Sequence, residues 1–488
     1  MNTRILLMIG GVAAFFWAFR RWRAAVQLAM VVLVLEGVFR KWLFLGAQDL
    51  IYFAKDVLLI AAYGGFLSER RRLRGLWIPR APALYFTLAL AAVWGVFEVL
   101  NPDLPNLFVG LLGFKSYFLY VPLLFVLPAV FPTDAGVARF MMRYLLLSIP
   151  VGLLAVAQFF SSSTSALNTY ARSPTDDYSS AVTFGSSSFV RVTGTFSFIT
   201  GYSAYLTAIV MLSLAVLATT RWRLRGNWKI YIVLGMAVLG MLMTGSRGPV
   251  VIVGVTFPLY WWLAVVREKQ RGATFIRLMI GVVLVGAFVF FVGGDALGAF
   301  QGRAAGNQTE LLGRIAEPFT APLKVLPAAG LLGYGIGATH QAAAAVTPGI
   351  PPFSWLRGHL IEVEPGRVML ELGPIGFLLV YLSRLLLIGL AFQQAFRLKT
   401  LFHRSIAVAS FMIFLSALPG GVIFDVTTGL LYWFFGGLLF LAMRLDRQPA
   451  PSPRADGRTA AVTAPAAVSV PRGAAVPLAP ILRSQTWR

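Results

Sequence analysis

Arg247 stands in the stretch Gly240-Met-Leu-Met-Thr-Gly-Ser-Arg-Gly-Pro249, between two apolar segments at 230–243 and 250–266. With its flanks each is about long enough to cross a bilayer. A cation at a membrane boundary is costly unless it reaches water, an anion or a partner. Arg247 could do no more than snorkel to lipid headgroups from a short turn. It could also do chemistry. Gly245 and Gly248 loosen the backbone, and the free N–H groups at the head of the next helix, with the guanidinium beside them, make a corner suited to a phosphate.

A second cluster reads Trp355-Leu-Arg-Gly-His-Leu-Ile-Glu-Val-Glu-Pro-Gly-Arg-Val-Met-Leu-Glu-Leu-Gly-Pro-Ile-Gly376 and runs into an apolar span. If Pro365 lies in the first helical turn, Arg367, Leu370, Glu371 and Pro374 share one face. Glu362 and Glu364 then precede the helix, where its dipole favours carboxylates. Such residues can be a capping cluster with an ion pair to Arg367. Either Glu362 or Glu364, facing cations from elsewhere, would also suit a general base. Lys115, in Gly113-Phe-Lys-Ser-Tyr117, interrupts an apolar run and is expected to face a polar cavity. The adjacent Lys55 and Asp56 could partly neutralise each other and are read as structural, as are Glu36 and Arg40, one turn apart.

These residues must be positioned by membrane helices. Of 488 residues 58% are hydrophobic and 12% charged, which excludes a soluble globular chain. Thirteen apolar runs fall at about 5–19, 25–39, 50–67, 81–99, 107–131, 139–160, 196–219, 229–244, 249–266, 276–293, 367–391, 405–424 and 427–443. They predict an all-α polytopic bundle of about 12–13 spans over residues 1–445, followed by a disordered tail at 446–488. The net charge of +23 lies in short clusters between runs, so it does not indicate a nucleic-acid partner. With each run crossing once, the basic clusters at 20–23, 69–74, 221–229, 267–277, 397–404 and 444–447 share one side, the cytoplasmic one. The long segments 161–195 and 294–366 then lie on the opposite side with Arg247. A site there cannot draw on cytosolic nucleotides, so a donor must arrive through the lipid.

The segment 294–366 carries mixed charges, room for a short amphipathic helix at 309–319, and a glycine-dense turn, Gly330-Leu-Leu-Gly-Tyr-Gly-Ile-Gly337, that could bring backbone close to a ligand. No strand precedes that turn, so it is not read as a dinucleotide motif. There is no cysteine, which excludes disulfides and thiolate chemistry, and three histidines argue against a multi-histidine metal site. No small-residue cleavage site precedes Arg20-Arg21-Trp22-Arg23, so no cleaved leader is expected. No internal repeat is visible.

Three motifs in order, Thr244-Gly-Ser-Arg-Gly-Pro, Leu332-Gly-Tyr-Gly-Ile-Gly and Glu371-Leu-Gly-Pro-Ile-Gly-Phe-Leu-Leu, resemble those of the O-antigen ligase and exopolysaccharide polymerase family of GT-C-type membrane glycosyltransferases. The resemblance covers about 230–391. It implies a bacterial inner-membrane enzyme with its site facing the periplasm. The donor would be an undecaprenyl-pyrophosphate-linked glycan, with no metal and no cofactor. Membrane lipids, and a chain-length regulator or other polysaccharide assembly proteins, are the implied partners. Arg247 matches the motif arginine that would contact the pyrophosphate. Ligase-type members carry a histidine about two and a half turns before the last motif. Here that place holds Glu362, with His359 three residues earlier, which leans toward a polymerase or another exopolysaccharide enzyme with a carboxylate where ligases carry histidine.

On this expectation Glu362 or Glu364 takes the acceptor hydroxyl proton, with His359 nearby. Arg247, helped by Lys115, Arg191 or Arg367, neutralises the departing pyrophosphate. A single displacement inverts the anomeric centre. The rival expectation is a transporter or flippase of lipid-linked glycans or other anions, drawn from the span count and the intramembrane charges.

Overall fold

The computed structural model describes residues 3–70, 78–169, 181–184, 188–218, 224–268, 271–305, 308–359 and 361–447. The tail beyond 447, and Arg172, Asp176 and Asp177, lie outside them. Every apolar run of the sequence is occupied by a helix. The first eight helices are α1 (Thr3–Arg20), α2 (Trp22–Val38), α3 (Gln48–Arg70), α4 (Pro82–Val99), α5 (Leu107–Phe118), α6 (Leu123–Val130), α7 (Asp134–Leu146) and α8 (Ser148–Phe160). There follow α9 (Ile199–Leu217), α10 (Leu224–Thr244), α11 (Arg247–Tyr260), α12 (Arg271–Val292), α13 (Gly294–Ala305), α14 (Gln308–Ala329), α15 (Glu364–Arg397), α16 (Leu401–Ser416) and α17 (Val426–Leu445). Among the described residues nine helices are long and apolar enough to cross a membrane. The bent pair α5 and α6 makes a tenth, and Trp228–Thr244 and Leu401–Ser416 are shorter apolar helices. The chain is a polytopic helical bundle.

Side chains set where several helices begin. Asn106 accepts from the Val109 N–H, Thr133 from Gly136 and Thr400 from His403, each taking up one orphan donor of a first turn. Burial then sorts the helices into layers. The apolar windows of α9 and α17 are each 83% buried, so these two form the centre of the bundle, whereas α12 buries 12% and lies at its edge. α17 packs against α6 and α16, and α9 against α10 and α16.

Contacts gather the described parts of the basic clusters at 20–23, 69–74, 267–277, 397–404 and 444–447 at one end, where Arg23 and Arg444 donate to the Ala129 and Phe131 carbonyls. Arg23 pairs with Glu69 at 3.2 Å, Arg404 with Glu268, and Arg267 donates to the Phe396 carbonyl at 2.7 Å. His403 bridges Asp134 and Asp446 at 2.9 and 3.0 Å. At the other end the long segments knit the bundle. Buried Lys41 donates to Thr193 Oγ1 and to the Gly194 and Phe196 carbonyls at 2.8–2.9 Å. Within 294–366 the chain forms α13 and α14, and α14 packs against α15. The helix expected at 309–319 is thus the first half of a longer one.

Two expectations need correction. The run at 405–424 is not one helix: α16 stops at Ser416, and 417–425, containing Pro419-Gly420-Gly421, is a loop. Lys55 and Asp56 are buried in ion pairs, but with other partners and not with each other. Successive helical residues point to different sides, and Lys55 pairs with Glu36 at 2.5 Å while Asp56 takes Lys115 at 2.6 Å and the Tyr120 hydroxyl at 2.7 Å.

The feature that shapes the functional end is a break inside α15 at Gly373, where φ is 62° and ψ is −175°. Only glycine adopts that region without strain. Pro374 has no N–H, so the Leu370 carbonyl loses its helical donor. The glycine-rich turn replaces it: Tyr334 N–H donates to Leu370 O at 2.8 Å. The two backbones nearly touch here. A Cβ on Gly373 would run into the Leu331 carbonyl, and one on Gly333 would lie 2.7 Å from Glu371 backbone. The last two sequence motifs are therefore one structural unit.

Candidate functional site

The break before α11 places Arg247. Gly245 takes φ +65° and ends α10, and Ser246 is extended and makes no side-chain cap. Arg247 is the first residue of α11, half-buried, with no acidic residue in the first turn. A cation and the positive end of a helix dipole thus coincide, which favours an anion there. Arg191 reaches the same corner: its Nε donates to the Thr244 carbonyl at 2.8 Å.

Ser246 and Pro249, which flank Arg247, line a cavity of about 470 Å³ together with Glu362, Glu364, Arg367 and Asp425. Arg247 itself is not among the lining residues. The expected arginine corner and the expected carboxylates therefore meet around one space, with Thr200, Ser203 and Thr207 of α9 supplying hydroxyls. The Ser203 hydroxyl is buried and has no hydrogen-bond partner among the described residues.

The two carboxylates differ in their commitments. Glu364 is buried. Its Oε1 accepts from Arg384 Nη2 at 2.6 Å, and its Oε2 from the Ile423 N–H at 2.8 Å. Glu362 is exposed on the cavity wall and enters no ion pair among the described residues. Arg367 makes no ion pair with either. Its Nε donates to Thr339 Oγ1 at 2.9 Å, Nη2 donates to the Thr339 carbonyl, and the guanidinium lies 3.4 Å from the Phe424 ring centroid. Thr339 in turn donates through its N–H and hydroxyl to Glu371 at 2.8 and 2.6 Å, and Tyr117 donates to the other Glu371 oxygen at 2.8 Å. Glu371 is fully buried and anchors Arg367 from behind.

Two further candidates lie apart from this cavity. Lys115 is paired with Asp56, its Nζ 4.6 Å from the Tyr52 ring centroid, and is not among the lining residues. The charge expected to face the cavity is held instead by a carboxylate on α3. His359 is exposed and does not line the cavity. In its general neighbourhood the buried histidine is His340, whose Nδ1 accepts from the Ala342 N–H at 3.0 Å. Burial, reinforced by Lys115 and Arg367, pushes its imidazole down to about 4, so it is neutral at neutral pH.

Asp425 is legible in the sequence only as a charge at a span edge. It caps α17, accepting from the Thr427 N–H and the Thr428 hydroxyl, both at 3.0 Å. Burial raises its carboxyl above the usual range, partly offset by those hydrogen bonds, with Glu364 adding to the rise. The signal that could have found it is Pro419-Gly-Gly, which ends α16 early and drops 417–425 into the cavity wall.

The cavity thus brings the flanks of a cationic helix N-terminus together with Glu362 and Asp425, and Arg367 is the one arginine among the described residues of its lining. Among the described residues no three His, Asp or Glu side chains are grouped to hold a metal ion. No family model and no curated protein matches the chain.

Proposed function

We propose that the protein is a membrane glycosyltransferase that joins undecaprenyl-pyrophosphate-linked glycan units, as a polysaccharide polymerase or an O-antigen ligase-like enzyme of the bacterial inner membrane, with its site on the periplasmic face. The observation that carries this is one cavity lined both by Ser246 and Pro249, which flank Arg247, and by the carboxylates 362 and 425. A lipid diphosphate suits the corner, where Arg247, Arg191 and the first N–H groups of α11 meet it. The carboxylates then face the sugar, where an oxocarbenium-like transition state develops positive charge.

In the step, the acceptor oxygen bonds to the anomeric carbon while the bond from that carbon to the pyrophosphate oxygen breaks. The electron pair leaves with the pyrophosphate and the hydroxyl proton passes to Glu362. Attack opposite the leaving group inverts the anomeric configuration. Glu362 is preferred over Glu364 because both Glu364 oxygens are already engaged. Arg367, fixed through Thr339 and Glu371, adds a cation to the acidic side.

Purified full-length protein in nanodiscs, given lipid-linked repeat units, tests this. New glycosidic bonds, seen as longer chains by mass spectrometry, are expected; unchanged repeat units would refute it. One observation favours a second reading, carriage of lipid-linked glycans. Carboxylates in a membrane cavity also suit cation-coupled transport. A transporter makes no new bond in that assay.

A further inference from the structure

A second cavity of about 520 Å³ adjoins the first. The two share Thr200, Phe424 and Asp425, so those residues form a common wall. The second cavity is lined further by Glu36, Arg40, Tyr52, Phe196, Ser197 and Gln341. Neither Arg247 nor any residue of the α10–α11 corner is part of it.

Its chemistry differs from that of the first. Three cations lie around it, Arg40 and Lys55 on Glu36 at 3.3 and 2.5 Å and Lys115 on Asp56, and Asp425 in the cavity wall brings the carboxylates to three as well. A polyanion would find no spare positive charge. What remains is hydrogen-bonding capacity beside apolar rings. Arg40 Nη1 donates to Ser197 Oγ at 3.0 Å, which leaves the Ser197 hydroxyl proton to donate. Gln341 is exposed at the cavity and adds an amide. A few convergent polar groups on an aromatic wall are what recognise an uncharged, hydroxyl-rich ligand.

We infer that this second cavity is the acceptor subsite, binding the uncharged, hydroxyl-bearing end of the glycan that attacks the lipid-linked sugar held in the first. This rests on the glycosyltransferase reading above and adds to it the place and chemical class of the second substrate. A hydroxyl held there enters the first cavity past Asp425. Two substrates of unlike charge thus occupy two cavities of unlike charge, and the diphosphate is kept out of the acceptor site for want of a free cation.

The test uses full-length protein in nanodiscs, a lipid-linked repeat unit as donor, and the same repeat unit freed of lipid and phosphate as acceptor. Gln341→Trp fills the cavity from an exposed position, and Ser197→Ala removes one hydroxyl; size exclusion and thermal midpoint report folding of each. Gln341→Trp is expected to raise the KM for the free acceptor about tenfold or more while the donor KM stays within about twofold. Ser197→Ala is expected to raise the acceptor KM by a smaller factor in the same direction. An acceptor KM within twofold of wild type in the folded Gln341→Trp variant, or a parallel rise in both constants, overturns the subsite. So does a wild-type protein that joins lipid-linked units but refuses the free glycan. A wild-type protein that joins no units at all instead removes the parent reading and the subsite with it.

Discussion

Glu364 and Arg384 are 20 residues apart in α15, yet Oε1 and Nη2 meet at 2.6 Å. In a straight helix that separation would be roughly 30 Å. The break at Gly373–Pro374 must therefore turn the chain back on itself, so that the short leading segment lies against the long trailing one. Glu364 is the clasp of that turn. The carboxylate available for chemistry is its neighbour two residues earlier.

Substitution separates the two roles. Glu362→Gln should leave expression and thermal midpoint near wild type and lower turnover about 10²–10⁴-fold, the range for loss of a general base. Glu364→Gln leaves Arg384 buried without its charge partner and should lose roughly 3–5 kcal/mol of stability. Thermal unfolding in detergent alongside turnover per folded molecule distinguishes them. Equal losses of stability in both variants would remove the distinction.

The turn itself depends on Gly373. Alanine there meets the Leu331 carbonyl and a backbone region that costs roughly 1–3 kcal/mol for other residues. Gly373→Ala should lower the thermal midpoint sharply and release the glycine-rich turn, read as faster proteolysis at 330–337. Gly389, where an added Cβ would meet nothing within 4 Å, serves as the tolerant control.

How much of this is legible in the sequence follows from where each interaction lies along the chain. Every membrane-length helix announces itself as an apolar run, because burial in lipid needs about the same run of residues wherever it occurs. The stretch around Arg247 and the cluster at 355–376 also supply residues of one cavity, Ser246 and Pro249 from the first and Glu362 and Arg367 from the second. The partnerships are not legible. Lys115 reads as a cavity cation, since Asp56 is 59 positions away and no periodicity joins α3 to α5. Glu364 reads as a partner of Arg367 or a general base, not of Arg384, because a helix period cannot predict a partner beyond a break. Asp425 stands just past a run that continues through Pro419-Gly-Gly, where the breaker outweighs the flanking hydrophobicity and ends the helix at Ser416.

Lys115 offers a direct check of that correction. Lys115→Met alone strands Asp56 in a buried site and should destabilise the fold by roughly 3–5 kcal/mol, whereas Lys115→Met with Asp56→Asn should recover most of the loss. A double-mutant cycle on thermal stability measures it. Additive losses would return Lys115 to the cavity cations.

His340 sets a pH dependence. Its ordinary value is 6.5 and burial lowers it to about 4, so the folded chain binds that proton less readily than the unfolded chain. Its contribution to stability is therefore whole above about 6.5 and is lost as pH falls from there to about 4. His340→Asn keeps an acceptor for the Ala342 N–H and should flatten stability over that window. An unchanged slope in the variant would assign the acid sensitivity elsewhere.

A diphosphate held at the Arg247 corner is what the proposed reaction requires most directly. Turnover of a lipid-linked donor should be measured for Arg247→Ala against Arg267→Ala, an arginine at the opposite end of the bundle, at equal amounts of folded protein. Arg247→Ala should lose on the order of a hundredfold or more in turnover, with Arg267→Ala near wild type. Arg247→Ala turnover within twofold of wild type would contradict the account.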